Sequence, residues 1–291
     1  MPTGIVLLDK PEGLSSNGAL QRVRRLLGAA KAGHAGSLDP LATGMLPICL
    51  DEATKIAGEI LSSRKRYRFT IELGVRTATG DREGEIVERC AVPELTADRL
   101  EAVLAGFLGP GCQVPPMYSA LKHEGRRLYE LARSGMVVQR QARAIEIFGL
   151  RLLGRRGGRV ELETQCSKGT YVRTLAEDIA RELGTCGHVA ALRRLSVEPF
   201  DREPMQTLES IALASERGEA PEILPADWPL KHLPAVYLSA LQAERIRHGQ
   251  PVEIGSGKVV AGKVRLYEEK RFLGMGEADD RGSVRPKRLF T

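Results

Sequence analysis

One carboxylate is set apart by its surroundings. Asp39 lies in Gly33-His34-Ala35-Gly36-Ser37-Leu38-Asp39-Pro40-Leu41-Ala42-Thr43-Gly44, a turn with three glycines and a proline just before the apolar run 45–50. Glycines supply positive φ and allow close backbone approach, and Pro40 stiffens the position after the acid. An acid on such a loop can be aimed at a ligand, as nucleophile or proton acceptor. The second stretch is Cys166-Ser167-Lys168-Gly169-Thr170-Tyr171-Val172-Arg173, which leaves a strand through a glycine and enters a helix. Arg173 beside Asp39 would hold the carboxylate ionised and fix its direction by a forked contact. A third, Lys65-Arg66-Tyr67, puts an aromatic face at a strand end. The fourth, Val114-Pro115-Pro116-Met117-Tyr118-Ser119-Ala120-Leu121-Lys122, has polyproline character. Taken singly, each also reads as ordinary structure: an Asp-Pro turn, a helix start, a packed strand tyrosine, an exposed loop.

The elements that must position these groups follow from periodicity. Residues 4–8 read as a short buried strand. Ser15 or Ser16 caps a helix with Leu20, Val23, Leu26 and Leu27 on one face, closed by Gly28. Residues 52–61 look helical. Residues 65–73 alternate cleanly, with Tyr67, Phe69, Ile71 and Leu73 on one face. Thr96 heads a further helix. Strands at 145–153 and 160–166, joined by a turn at 154–158, lead to a helix at about 170–183 and a strand at 188–197. Residues 113–143 read as an exposed, mobile insertion. Prolines 221, 225, 229 and 234 mark a boundary. Beyond it come a short helix at 239–248 and hairpins with turns at Gly262, Gly274-Met275-Gly276 and Asp280-Arg281-Gly282. Strands interleaved with helices, without βαβ regularity, indicate an α+β fold with a mixed, largely antiparallel sheet.

Composition narrows the function. The chain has 291 residues and a net charge of +6. Its bases cluster: Arg22, Arg24, Arg25 and Lys31 without an acid, then Lys122, Arg126, Arg127, Arg133, Arg140 and Arg143, then Arg151, Arg155, Arg156 and Arg159. Such clusters suit a polyanionic partner, or are simply solvated faces. Five scattered cysteines without a C-x-x-C pair indicate neither a disulfide framework nor a zinc site, and fit a reducing cytoplasm. No apolar run is long enough for a membrane span, and no signal peptide is evident. Phosphate-loop, dinucleotide and nucleophile-elbow motifs are absent from the sequence.

Taken in order, six stretches resemble the tRNA pseudouridine synthase B (TruB) family nearly end to end. They are Leu7-Leu8-Asp9-Lys10-Pro11 with Gly13 and Ser15-Ser16-Asn17, His34-Ala35-Gly36-Ser37-Leu38-Asp39-Pro40 with Ala42-Thr43-Gly44, Lys65-Arg66-Tyr67, Pro115-Pro116-Met117-Tyr118-Ser119-Ala120, Ser167-Lys168-Gly169-Thr170-Tyr171-Val172-Arg173, and Leu192-Arg193-Arg194-Leu195. The resemblance implies a pseudouridine synthase fold. A catalytic domain at 1–230 would carry a thumb-like insertion at about 113–143, followed by a small β-rich PUA-like RNA-binding module at 234–291. The implied reaction isomerises uridine at position 55 in the T loop of tRNA after base flipping, with no cofactor and no metal. By the same resemblance Asp39 is the catalytic aspartate, Tyr171 an active-site tyrosine and Arg173 the partner of Asp39. Tyr67 packs on the target base, Leu192 touches it, and His34 enters the loop that the nucleotide leaves. Lys10, Lys65, Lys122, Arg126 and Arg127 are expected on the RNA. The implied partner is tRNA through its T arm and elbow, with no membrane, no obligatory protein partner and a monomeric enzyme. A guide-RNA-dependent relative of the dyskerin type is the alternative within this chemistry. A tRNA-folding chaperone is the alternative outside it. The insertion and short tail favour the stand-alone enzyme over the first; Asp39, Tyr171 and Arg173 favour catalysis over the second.

Overall fold

The computed structural model describes residues 2–219, 221–255 and 260–290. Its larger sheet takes β1 (Gly4–Lys10), β3 (Thr43–Leu50), β12 (Gly187–Val197), β4 (Lys65–Leu73), β11 (Arg159–Cys166), β10 (Arg143–Arg156) and β7 (Gly109–Gln113) in that spatial order, with β2 (Ala32–His34) also on β3. Only β3 and β12 run parallel among these pairs, and their pairing is short, Thr43 with Arg193 and Gly44 with Arg194. The fold is α+β with a mixed, mostly antiparallel sheet.

The alternation of β4 sets the layers. Lys65, Tyr67, Phe69, Ile71 and Leu73 are buried, with arginines, Thr70 and Glu72 on the other face. The apolar side packs on α1 (Ser16–Leu26), α3 (Ala97–Ala105), α5 (Val172–Glu182) and α6 (Leu208–Glu216). Each fully buried aliphatic or aromatic side chain there contributes about 1.5–3 kcal/mol of transfer free energy. Helix ends follow local chemistry: Ser15 accepts from Gly18 N and Thr96 from Arg99 N, satisfying otherwise unpaired donors. The free edge of β1 is covered by Gln206 and Leu224, which exchange backbone hydrogen bonds with Leu7, Asp9 and Ile5.

A second, five-stranded sheet holds β13 (Ala235–Leu238), β15 (Gly262–Glu268), β16 (Arg271–Ala278), β17 (Ser283–Leu289) and β14 (Val252–Glu253), with α7 (Ala240–Arg247) against it. Its Met275, Phe272 and Phe290 join the core formed by Ile5, Leu7, Phe200 and Leu230. Lys55 donates to Leu289 O at 2.8 Å across the same junction.

Residues 52–61 are helical as expected, in two pieces: a 3₁₀ helix, Asp51–Ile56, and the short α2 (Ala57–Leu61). Other expectations need correction. The turn between β10 and β11 shrinks to two glycines, 157 and 158. Gly274-Met275-Gly276 is no turn but lies within β16, because a Cβ at Gly274 would meet Arg288 O at 2.1 Å. There the glycine serves close strand approach rather than chain reversal. The hairpin β5 (Val75–Thr77) and β6 (Ile86–Arg89) and helix α6 went unread. Cys90 and Cys186 form a disulfide across 96 residues. Their pairing depends on the chain returning along Gly74, which donates to Cys186 O and accepts from Cys90 N. Linear spacing carries no trace of that.

The insertion leaves from β7 and returns on the adjacent β10, Gln113 opposite Arg143. It contains a two-residue ladder, β8 (Lys122–His123) with β9 (Arg126–Arg127), and the helix α4 (Leu128–Arg133). It is not exposed throughout: Ser119, Leu128 and Leu131 are buried.

Candidate active site

The Asp39 loop, residues 35–42, crosses from β2 to β3 and is held from beneath by the first motif. Ser16 Oγ donates to Leu38 O at 2.9 Å and accepts from Leu38 N at 2.7 Å. Gly13 N donates to Pro40 O. Lys10, fully buried, spends its ammonium on the carbonyls of Leu14 at 2.7 Å, Pro11 at 2.9 Å and Pro40 at 3.2 Å. Gly36 and Gly44 take φ of 103° and 99°. At Gly44 a Cβ would lie 2.1 Å from Arg194 O, so the β3–β12 approach requires glycine.

Arg173 enters from the first turn of α5, 134 residues away, and grips Asp39 with two nitrogens. Nε lies 2.9 Å from Oδ2 and Nη2 3.3 Å from Oδ1. The other donors are fixed by carbonyls, Nη1 to Thr79 and Nη2 to Tyr118 of the insertion, each at 2.7 Å. The guanidinium side chain is 5% exposed and the Asp39 side chain 36%, so the carboxylate faces the opening while its partner is sealed. Asp81, itself buried, lies 3.7 Å from Arg173 Nε. Removal from water pushes the Asp39 carboxyl above the usual carboxylate range, and Asp81 adds to this; Arg173 and Lys10 oppose it.

Two phenols flank the acid. Tyr67 on β4 is buried, and burial raises its pKa, with the Asp39 charge adding to the rise. Tyr171 stands at the N-cap position of α5; burial raises its pKa, Arg173 opposes the rise and Asp39 adds to it. Its backbone is clamped by Gln113, which accepts from Tyr171 N at 2.9 Å and donates to Tyr171 O at 3.3 Å. Leu192 lines a cleft of about 250 Å³ with Leu41, two residues on from Asp39, and with Arg193. Arg193 in turn forks onto both oxygens of Asp9, at 2.9 and 2.7 Å. Asp39, Tyr67 and Tyr171 do not line that cleft. A carboxylate aimed by a sealed guanidinium can add to an electrophilic carbon or accept a proton.

The remaining predicted residues divide. His34, on β2, is half-buried; burial, then Arg194 and Arg127, favours its neutral form. Lys65 is buried and donates to Leu61 O and Ser63 O. Lys122, Arg126 and Arg127 are exposed on the β8–β9 ladder. Sequence reasoning missed Asp81, Gln113 and Arg194. Asp81 carries a signal resembling that of Asp39, an acid between Gly80 and Gly84. Arg194 shares the inward parity of Leu192, unusual for an arginine.

Comparison with known proteins identifies the family. Residues 24–172 match the TruB family pseudouridylate synthase N-terminal domain. Residues 173–231 match the tRNA pseudouridylate synthase B C-terminal domain, and 234–290 the pseudouridine synthase II TruB C-terminal domain. The chain is 49% identical over 289 residues to tRNA pseudouridine synthase B of Hydrogenovibrio crunogenus, covering 99% of this chain and 93% of that one. The enzyme of that name from Stutzerimonas stutzeri is 49% identical over 293 residues, covering 99% and 95%. Among solved structures, a chain of a Cbf5-Nop10-Gar1 complex superposes with a TM-score of 0.73 at 23% identity, covering 99% of this chain and 85% of that one; this likeness speaks to fold. With its Asp39–Arg173 centre and these relatives along its whole length, the chain belongs to the TruB family and is a pseudouridine synthase.

Proposed function

We propose that this protein converts uridine to pseudouridine at position 55 in the T loop of tRNA. The C1′–N1 bond breaks, the retained base turns, and C1′ joins C5; the C5 proton leaves and N1 gains one. Nothing is oxidised and no group is lost, so the reaction calls for neither cofactor nor metal. Asp39 is the catalytic carboxylate, by addition at C1′ or C6 or by removal of the 2′ proton. Tyr67, Tyr171 and Leu192 enclose the flipped base, and His34 fills the space it vacates. Flipping costs a few kcal/mol, offset by phosphate contacts from Lys122, Arg126 and Arg127 on a thumb that orders on the RNA. In this reading Lys10 and Lys65 support the site from within, through chain carbonyls rather than by direct RNA contact. The catalytic unit at 1–230 and an RNA-binding module at 234–291 act as one monomer in the cytoplasm, on the T arm and elbow.

The forked Arg173–Asp39 contact carries this reading. Its test is Asp39→Asn assayed on tRNA tritiated at C5 of uridine. Binding by filter retention should persist while tritium release stops. Turnover by the variant would remove Asp39 from the chemistry, and pseudouridine mapped elsewhere than position 55 would overturn the substrate assignment.

A further inference from the structure

Arg194 is 1% exposed, yet no carboxylate among the described residues pairs with it. Its place explains the burial. On β12 it stands opposite Gly44 of β3 on one side and Tyr67 of β4 on the other. Along β3, the stretch paired with β12 ends at Gly44 and the stretch paired with β2 begins at Ile48. The Arg194 side chain bridges that gap. Nε donates to Met45 O at 2.6 Å and Nη2 to Gly36 O at 3.0 Å, three residues before Asp39. Arg194 and Tyr67 are directly opposed across the β12–β4 pair, and the arginine's charge opposes the rise that burial gives the phenol's pKa.

We propose that Arg194 is a positioning residue of the isomerisation, one guanidinium holding the Asp39 loop and the Tyr67 ring in fixed register. The loop that carries the carboxylate leads into β3 and the aromatic ring stands on β4, with only β12 between those two strands. The β3–β12 ladder is two residue pairs long, so backbone pairing alone leaves that register loose. A planar fork with fixed donor directions corrects this; a lysine ammonium, a point donor on a flexible stem, cannot serve both carbonyls and the phenol in the same geometry. The fixed charge also favours the neutral forms of His34 and Lys65, secondary to their burial. Lys10 and Cys166 also feel it.

The inference rests on the isomerase reading, and the test separates the two. Full-length Arg194→Lys and Arg194→Met, each alone and combined with Tyr67→Phe, are compared in single-turnover tritium release, tRNA filter binding and thermal unfolding. Each Arg194 variant should bind tRNA within about 3-fold of the parent while its rate constant falls about 100-fold. In the Tyr67→Phe background the same change should cost several-fold less than in the parent, because the hydroxyl is gone while the hold on the loop carbonyls remains. Equal losses in both backgrounds, an unchanged rate, or a loss that follows weakened binding would overturn the proposal. Failure of both variants to fold would make the residue structural and end it too. Absence of turnover in the parent would instead defeat the isomerase reading.

Discussion

Asp81 Oδ2 lies 3.7 Å from the same Arg173 Nε that meets Asp39 at 2.9 Å, so one sealed guanidinium serves two carboxylates. The Asp81 charge raises the Asp39 pKa while helping to fix the arginine that aims it. Asp81→Asn should therefore do two separable things. The acidic limb of the rate profile should move to lower pH, because a repulsive neighbour is gone. The plateau should fall about 10-fold, because Arg173 is less firmly held. Single-turnover rates across pH check both, and an acid limb moving to higher pH would contradict the assignment.

Removing the Arg173 guanidinium should cost more stability than removing the Asp39 carboxylate. Arg173→Ala leaves Asp81 buried without its cation, and breaking a buried pair from one side typically costs about 3–5 kcal/mol. Asp39→Ala removes a carboxylate that already faces the opening, where screening makes the pair worth less. Urea unfolding of the two variants measures the order directly. Equal losses would mean that Asp81 is not dependent on Arg173.

Much of this was legible in the chain because local rules and tertiary demands agree. The alternation of 65–73 returns as β4 with the same limits, and Ser15 and Thr96 cap the helices that they head. The Asp39 turn and the α5 start that carries Arg173 were readable because glycine-bracketed turns and helix starts are local features. What stayed hidden depends on distant partners. The Gly274 approach exists only when β17 lies alongside, and the Cys90–Cys186 bond only when the hairpin folds back. Lys10 was expected on the RNA, but a buried ammonium saturated by three carbonyls is defined by loops 4 and 30 residues away. Its type and motif cannot separate those two environments.

That buried ammonium gives stability an unusual pH dependence. Burial lowers the Lys10 pKa from 10.5 to about 8, against the pull of Asp39. Between those values the unfolded chain holds a proton that the folded one has released. Stability contributed by this group therefore rises with pH, by up to about 1.4 kcal/mol per unit. Burial also raises the thiols of Cys49 to about 12 and Cys166 to about 11, which works in the opposite direction above about pH 9. The informative quantity is thus wild type minus Lys10→Met in urea unfolding from pH 7.5 to 10. That difference should climb with pH; a flat or falling difference would show that Lys10 keeps its proton when folded.

The insertion offers the last test, because its exposed bases and its buried residues do different things. Arg126 and Arg127 project from the β8–β9 ladder, whereas Tyr118 O accepts from Arg173, the partner of Asp39. Reversing both charges, Arg126→Glu with Arg127→Glu, should weaken tRNA binding and flatten its dependence on salt, since each lost phosphate contact removes about 0.7–0.9 from the log–log slope. The bound complex should still turn over at close to the parent rate, because the Arg173–Tyr118 contact is untouched. Filter binding from 50 to 200 mM salt, paired with single-turnover rates at saturating enzyme, separates the two effects. A salt slope equal to the parent's would take the ladder out of the interface, and a collapsed rate at full occupancy would mean that the ladder, not only residue 118, governs the centre.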